Sequence, residues 1–301
     1  MKIYGLDFTS APSLKKPIAC IECSSESHFP LLKMVRLMKF SSFEGFEAFL
    51  GVEGPWVAAM DFPFGLPRRL IANLFWPGSW KKYVEFISAM GLKRFELQLA
   101  NYRMGRPTGD KHHLRFTDAL AGSCSPMMLY GVPVGKMFFQ GAPRLLRSGV
   151  SLLPCHPTAE DRVVLEGYPA LVARKWIGKR SYKSDESTKQ THNKEEMRRA
   201  IIAGLRSSHL RIHYDLDLEM SDTLARECVL DHSGDTLDAV LCSIQAAWAF
   251  AQRDFGIPLQ CDKDEGWIVD PSLIRALSFQ NDNCRFDQER NPKSKASTTG
   301  P

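Results

Sequence analysis

Val57-Ala-Ala-Met-Asp-Phe-Pro-Phe-Gly-Leu-Pro67 changes from an apolar run to a turn at a single aspartate. The run begins at Trp56, and continuous apolar sequence of this kind is typical of a central strand covered on both faces. Asp61 therefore closes a strand, although an aspartate before Phe-Pro is also a common way to start a turn. A carboxylate at the C-terminal end of a strand points into the crevice where α/β sheets bind ligands. The stretch predicts a central strand that carries a ligand-binding residue at its end.

Two further strand-like runs end in a carboxylate. They are Lys2-Ile-Tyr-Gly-Leu-Asp7 and Arg162-Val-Val-Leu-Glu166. An unpaired carboxylate within an apolar strand is costly, so Asp7 favours a functional role. Glu166 has a structural alternative, because it precedes a glycine and can cap a turn or pair with an arginine.

The last long helix begins with two further carboxylates. An apolar stripe at helical spacing predicts a helix from about Thr236 to Arg253. Asp235 is expected to be its N-cap, with Asp238 three residues later. Capping explains an aspartate at position 235. It does not explain Asp238, which lies between apolar neighbours, so Asp238 favours a functional role.

The order of the elements describes the RNase H-like fold, an α/β mixed sheet with flanking helices. Three antiparallel strands, a helix, a parallel strand, another strand and a final helix occur in that order. In this fold the first and fourth strands are neighbours, so Asp7 and Asp61 are expected side by side. Glu166, on the fifth strand, and the start of the last helix face the same rim.

The remaining sequence predicts how the domain is organised. Residues 68–158 are expected to form a helical insertion over one face of the sheet, within a single domain of residues 1–278. The polar segment 181–193 predicts a mobile loop, and residues 215–229 predict a helix. Residues 279–301 are low in hydrophobic residues and predict a disordered C-terminal tail.

Grouped carboxylates need cations, because like charges raise one another's pKa. Oxygen-only ligands favour Mg²⁺ or Mn²⁺. The predicted metal ligands are Asp7, Asp61 and Asp238, and Glu166 and Asp235 are further catalytic candidates.

Basic residues concentrate in two segments that are candidates for substrate binding. Lysine and arginine separated by glycine and proline suit phosphate contacts from a loop, although most charge runs are solvated surface. The first segment carries Arg103, Arg106, Lys111 and Arg115, and the second carries Arg174, Lys175, Lys179, Arg180 and Lys183.

Composition limits the class of protein. The chain has 301 residues, 44% of them hydrophobic, and a net charge of +5, which is compatible with a polyanionic partner. No apolar run approaches the ~20 residues of a membrane span, and no secretory signal is recognised at the start. Cys20 and Cys23 have the C-x-x-C spacing but no second pair to complete a zinc site, so they are interpreted as core residues. Free thiols favour a cytoplasmic location.

Five short motifs occur in a fixed order: Gly5-Leu-Asp-Phe-Thr-Ser-Ala-Pro12, Met60-Asp-Phe-Pro-Phe-Gly-Leu-Pro67, Glu166-Gly-Tyr-Pro-Ala170, Asp235-Thr-Leu-Asp-Ala-Val240 and Glu265-Gly-Trp-Ile-Val-Asp-Pro271. With these motifs the chain resembles the bacterial and archaeal "domain of unknown function" family of predicted RNase H-like nucleases. The resemblance implies that fold and a carboxylate metal centre at Asp7, Asp61 and Asp238. The chain departs from the family after Asp7, where a glycine-containing hairpin is common.

The leading functional hypothesis is a nuclease that hydrolyses DNA or RNA with two Mg²⁺ or Mn²⁺ ions. An actin- or sugar-kinase-like phosphotransferase is an alternative, because Gly5-Leu-Asp-Phe-Thr-Ser10 resembles the first phosphate hairpin of that related fold. A third possibility is a nucleic-acid-binding or scaffold protein without catalysis, because a fold can outlive its function.

Overall fold

The computed structural model describes residues 1–25, 30–184, 186–189 and 191–278, and a seven-stranded mixed sheet runs through these residues. The strands are β1 (Lys2–Asp7), β2 (Ile18–Ser25), β3 (Leu31–Phe40), β4 (Trp56–Asp61), β5 (Ser151–Leu152), β6 (Arg162–Glu166) and β7 (Asp217–Glu219). Their order is β5-β6-β4-β1-β2-β3-β7. The first three strands are antiparallel neighbours, and every other pairing is parallel. The predicted tail, 279–301, lies outside the described residues.

The central strands send alternate side chains into two apolar cores, one on each face of the sheet. On β4, Val57 and Ala59 belong to one core, and Ala58 and Met60 belong to the other. All four are buried. The expectation of a central strand covered on both faces is confirmed.

One face is covered by α1 and by most helices of the predicted insertion. Ser42 caps α1 by accepting a hydrogen bond from the Gly45 N–H, as expected of an N-cap serine. The helices that pack on this face are α1 (Phe43–Leu50), α2 (Arg68–Asn73), α3 (Trp80–Met90), α4 (Leu92–Met104) and α6 (Val134–Ser148). The short helix α5 (Phe116–Ala121) reaches the other core through Ala121.

The opposite face is covered by helices from the second half of the chain. They are α7 (Pro169–Ile177), α8 (His192–Leu205), α9 (His209–Tyr214), α10 (Asp222–Leu230) and α11 (Asp235–Ala251). Residues 271–278 are also helical. No helix in the described ranges is both long enough and apolar enough to cross a membrane.

Three local expectations are wrong. The long helix begins at Asp235, and its N-cap is Gly234 in a left-handed conformation (φ +79°), so Asp235 is the first helical residue and not the cap. The predicted helix 215–229 is interrupted, because Asp215 adopts a left-handed conformation at the end of α9 and β7 follows. Tyr182, in the segment expected to be a mobile loop, is buried.

Cys20 and Cys23 are buried free thiols in β2, as expected of core residues.

Candidate metal centre

Two strand ends bring Asp7 and Asp61 together. The parallel pairing of β1 and β4 places Asp7 directly opposite Asp61. Each aspartate is the last residue of its strand, so both carboxylates leave the sheet at the same edge. The predicted adjacency of these two residues is confirmed.

Helix α11 lies directly on β1 because Gly5 has no side chain. A Cβ atom at Gly5 would lie 2.1 Å from both the carbonyl oxygen of Ala239 and the backbone nitrogen of Ser243. Only glycine permits this backbone approach. The first turn of α11 therefore meets the end of β1 and places the buried Asp238 beside Asp7.

The three aspartates form one cluster. A carboxylate oxygen from each of Asp7, Asp61 and Asp238 lies within 4.8 Å of the others, and within the described ranges this is the single group with that geometry. Asp7 and Asp238 are buried, and Asp61 is half-buried. The donors are all carboxylate oxygens, which suit a hard cation such as Mg²⁺ or Mn²⁺. The residues therefore fit the ion that the sequence predicts.

Burial and mutual repulsion raise the pKa values in the cluster. Burial raises the pKa of Asp7 well above its ordinary value, and the charge of Asp235 raises it further. Burial also raises the pKa of Asp61 to about 7, against the opposing charge of Lys183. Carboxyl groups with raised pKa values hold protons near neutral pH unless a cation replaces them.

Asp238 is held by two consecutive residues of the segment before α8. The Tyr182 hydroxyl donates a hydrogen bond to Oδ1 of Asp238 at 2.5 Å. The Lys183 ammonium contacts Oδ2 of the same carboxylate. Burial lowers the pKa of Lys183, but the charges around it, that of Asp238 first and then those of Tyr182, Asp7 and Asp61, together raise the pKa well above its ordinary value. A lysine predicted to contact substrate is thus a counter-ion inside the cluster.

The backbone of this segment is fixed by a buried arginine from α8. The Arg198 guanidinium donates to the carbonyl oxygens of Tyr182 and Val229, each at 2.7 Å. The Ser184 N–H donates to the carbonyl oxygen of His232 at 3.2 Å. The sequence analysis did not predict a role for Tyr182. The one feature that could have indicated it is its position next to Lys183 in the second basic segment.

Asp235 lies beside the cluster but does not belong to it. Its side chain is 9% exposed, and burial raises its pKa. Its charge has the largest effect of any carboxylate on the pKa of Asp7. Asp235 therefore adds negative charge to the site without being one of the three grouped ligands.

Glu166 is engaged in a different network, so its prediction as a catalytic carboxylate needs correction. The Arg115 guanidinium donates to both oxygens of Glu166, at 2.6 and 2.8 Å, and to both oxygens of Asp118, at 2.8 Å each. The Phe64 N–H also donates to Glu166, at 2.9 Å. The alternative interpretation, a pair with an arginine, is the one observed. Arg115 is only 2% exposed, so its prediction as a phosphate contact on a surface loop is wrong.

The rest of the first basic segment lies at a separate place. Arg106 stacks over the Tyr102 ring at 4.2 Å and pairs with Asp110. Arg103 donates to the carbonyl oxygen of Leu99 at 3.2 Å, and Lys111 is exposed. Arg106 lines a shallow pocket with Tyr102 and Pro107, and no residue of that pocket lines the cavity beside Asp61.

The second basic segment borders the candidate metal centre. Arg174 donates to the carbonyl oxygen of Ala121 at 2.6 Å and lies over the Tyr168 ring at 5.4 Å. Arg174, Lys179 and Arg180 line a cleft of about 250 Å³. Lys175 follows Arg174 on α7 and is half-buried. Three of the five cations of this segment therefore line one cleft.

A cavity of about 290 Å³ opens directly beside Asp61. Its walls include Phe62, Val134 and Tyr168, and its deepest residues belong to the Arg115 network. The exposed Arg180 and the half-exposed Lys183 line its outer part. The cleft and the cavity share Ala170, Arg180 and Tyr182, so the two spaces adjoin.

The family model described as "Protein of unknown function (DUF429)" matches residues 5–254. This range includes the three grouped aspartates, and the motif Glu265–Pro271 lies beyond it. No curated protein and no solved structure matches the chain. Because the match covers most of the chain and every strand of the described sheet in whole or in part, the chain belongs to the DUF429 family.

Proposed function

We propose that the protein is a metal-dependent nuclease with an RNase H-like fold, which hydrolyses phosphodiester bonds of DNA or RNA at the aspartate cluster. The observation that carries the proposal is the convergence of Asp7, Asp61 and Asp238 from β1, β4 and α11 within 4.8 Å. Three carboxylates so close together repel one another, and a divalent cation relieves that repulsion. A site of this composition is suited to Mg²⁺ or Mn²⁺.

The arrangement of the sheet supports the RNase H-like assignment. The observed order contains the continuous run β6-β4-β1-β2-β3, in which the first and fourth strands are neighbours as expected for that fold. Helix α11 packs on β1 and begins at the rim where those strands end. The short strands β5 and β7 extend the sheet at its two edges.

The chain's own residues would hold and tune the ion. When bound, the cation would activate a water molecule and neutralise charge on the scissile phosphate. The Tyr182 hydroxyl fixes Oδ1 of Asp238, which orients the carboxylate. The Lys183 ammonium occupies Oδ2, so a cation that binds this oxygen must displace it. Tyr182 is therefore a positioning residue, and Lys183 is the counter-ion that the metal ion would replace.

A second ion would need a further carboxylate near the first three. Asp235 is the best candidate, because its charge acts on Asp7 more strongly than that of any other carboxylate. Glu166 is not suited to this role, because both of its oxygens accept hydrogen bonds from Arg115. The expectation of two ions therefore depends on Asp235.

The basic cleft supports a nucleic-acid substrate. Arg174, Lys179 and Arg180 line a cleft that adjoins the cavity beside Asp61. Phosphate groups are held by lysine and arginine side chains of this kind, without regard to base sequence. The scissile phosphate would lie at the aspartates and its neighbours along the cleft.

The first test is calorimetric titration of Mn²⁺ into the metal-free protein. Saturable binding is expected for the natural protein and a loss of binding for Asp7→Asn. The matched control is Asp222→Asn, an exposed aspartate in the first turn of α10, which should bind as the natural protein does. Absence of Mn²⁺ binding in the natural protein would refute the metal centre and favour a scaffold role.

The second test is cleavage of end-labelled DNA and RNA with Mn²⁺. Cleavage by the natural protein, lost in Asp7→Asn and kept in Asp222→Asn, is the expected result. If Mn²⁺ binds but no strand is cut, and ATP binds tightly, the phosphotransferase alternative replaces the nuclease.

A further inference from the structure

The cavity beside Asp61 has apolar and aromatic walls. Phe62 directly follows the metal-binding aspartate, and Tyr168 lies on the other side of Gly167 from Glu166. Val134 and Met137, one helical turn apart at the start of α6, complete much of the wall. Flat apolar groups are bound by such surfaces, and nucleobases stack on aromatic rings.

The depth of the cavity excludes an anionic group. Arg115 carries one positive charge, whereas Glu166 and Asp118 carry two negative charges if both are ionised, and the donors of Arg115 are directed at those carboxylates. All three side chains are at most 2% exposed. Burial raises the pKa of Glu166, against the effect of Arg115. A phosphate entering this space would meet no unpaired cation and would face carboxylate oxygens, so the deep part suits a neutral group.

The entrance has the opposite character. Arg180 is exposed at the entrance and also lines the adjoining cleft with Arg174 and Lys179. Lys183 lies between the cavity and the aspartate cluster. A ligand with a neutral ring inside the cavity would therefore have its phosphates against these cations and its reactive phosphate beside Asp61.

We infer that this cavity holds one unpaired nucleobase of the substrate, so that the protein acts on single-stranded or locally unpaired nucleic acid. The inference rests on the proposed nuclease function. A cavity of about 290 Å³ lies near the lower limit of ligand pockets, roughly 300–1,000 Å³, and suits one base with part of its sugar. A base within a duplex is stacked and paired, and it reaches an enclosed pocket only after it leaves the helix.

The test compares a short fluorescein-labelled DNA strand with the same strand built from abasic nucleotides, by fluorescence anisotropy in metal-free buffer. Stacking of a base on protein rings is worth ~1–3 kcal/mol, so the normal strand should bind roughly 5- to 150-fold tighter. Val134→Trp fills the cavity and should abolish this difference. Val35→Trp changes a 55% exposed valine on β3 and should preserve it.

Equal affinity for the normal and abasic strands would overturn the inference, and so would a difference that survives in Val134→Trp. Absence of binding to the DNA strand and to its RNA equivalent would overturn it too. Cleavage with Mn²⁺ is measured separately on both strands. Cleavage without base dependence keeps the nuclease and removes the base pocket, whereas base-dependent binding without cleavage keeps the pocket and removes the nuclease.

Discussion

Replacing Lys183 by methionine is expected to strengthen Mn²⁺ binding while it weakens the metal-free fold. The Lys183 ammonium is the cation in contact with Asp238, and its charge also lowers the pKa of Asp7 and Asp61. Methionine keeps much of the aliphatic stem and removes the charge. The aspartate cluster is then left without its counter-ion until a metal ion binds.

The gain in metal affinity follows from two effects. Oδ2 of Asp238 becomes accessible without displacing an ammonium, and the repulsion between Lys183 and the incoming ion disappears. The repulsion between a unit charge and a divalent ion ~5 Å apart is about 1.7 kcal/mol at the dielectric constant of water, and it is larger in a partly buried site. This corresponds to roughly 20-fold in the dissociation constant.

In the metal-free protein, by contrast, Lys183→Met is expected to lower the free energy of unfolding. Removing one partner of a buried ion pair costs ~3–5 kcal/mol. The Lys183 side chain is 39% exposed whereas Asp238 is fully buried, and solvent screening reduces the cost to about 1–2 kcal/mol. For a domain of this size the melting temperature should fall by ~2–3 °C.

Calorimetric Mn²⁺ titration and thermal unfolding, each on the same preparations, measure both quantities. Lys183→Arg keeps the charge and should bind Mn²⁺ about as the natural protein does. Lys179→Met removes a lysine that lines the adjoining cleft and should alter the dissociation constant by less than about threefold, a change of ~0.6 kcal/mol. Unchanged or weaker Mn²⁺ binding in Lys183→Met would refute the reasoning, because it would mean that the ammonium does not compete with the ion.

Four further outcomes are expected. Mn²⁺ affinity should rise from about pH 6 to about pH 8, because the pKa of Asp61 is about 7 and only the deprotonated carboxylate binds metal; proton release during titration checks this. Protonated Asp61 should stabilise the metal-free protein, with the full contribution to the unfolding free energy below its ordinary pKa of 3.8. This contribution should be lost as the pH rises through about 7. Urea unfolding across this window, with and without Mn²⁺, measures it. Gly5→Ala should destabilise the fold by more than ~3 kcal/mol and abolish Mn²⁺ binding, because its Cβ would meet the α11 backbone at 2.1 Å. The control is Gly78→Ala, which has open space around it and should change stability by at most ~1 kcal/mol. Arg115→Met should cost ~3–5 kcal/mol in urea unfolding, because it leaves Glu166 buried without its partner; a loss below ~1 kcal/mol would contradict the network's structural role.

Features that depend on local patterns could be predicted from the sequence. The apolar run Trp56–Asp61 marked a strand buried on both faces, and Arg162–Glu166 was placed with its observed bounds. Asp7 and Asp61 could be paired in advance because the order of elements indicated which strands are neighbours. The carboxylates themselves stood out because they interrupt or end apolar sequence.

Features that depend on contacts distant in the chain could not be predicted. Lys183 and Asp238 are 55 residues apart, and the polar segment around Lys183 has no periodicity that indicates burial. Arg115 lies in a segment rich in glycine, proline and charge, which resembles an exposed loop. Its burial follows from pairing with Glu166, 51 residues away. A local pattern contains no information about such partners.

The two groups of buried carboxylates in this fold differ in a way that indicates their roles. In the Arg115 network, one guanidinium donates two hydrogen bonds to the carboxylate of Glu166 and two to that of Asp118. The Phe64 N–H donates a further hydrogen bond to Glu166. Such a network is complete within the protein and rigidifies the core.

The aspartate cluster lacks this completeness. Among the described contacts, the three grouped carboxylates have one contacting ammonium, that of the half-exposed Lys183, while the charge of Lys16 acts on the adjacent Asp235. Burial without matching positive charge is unfavourable, and it persists at sites where strain serves function. The protein thus supplies hydrogen-bond donors to both carboxylates of the Arg115 network, whereas the aspartate cluster has more negative than positive charge. That difference, more than the number of acidic residues, supports the proposal that the aspartate cluster binds a cation.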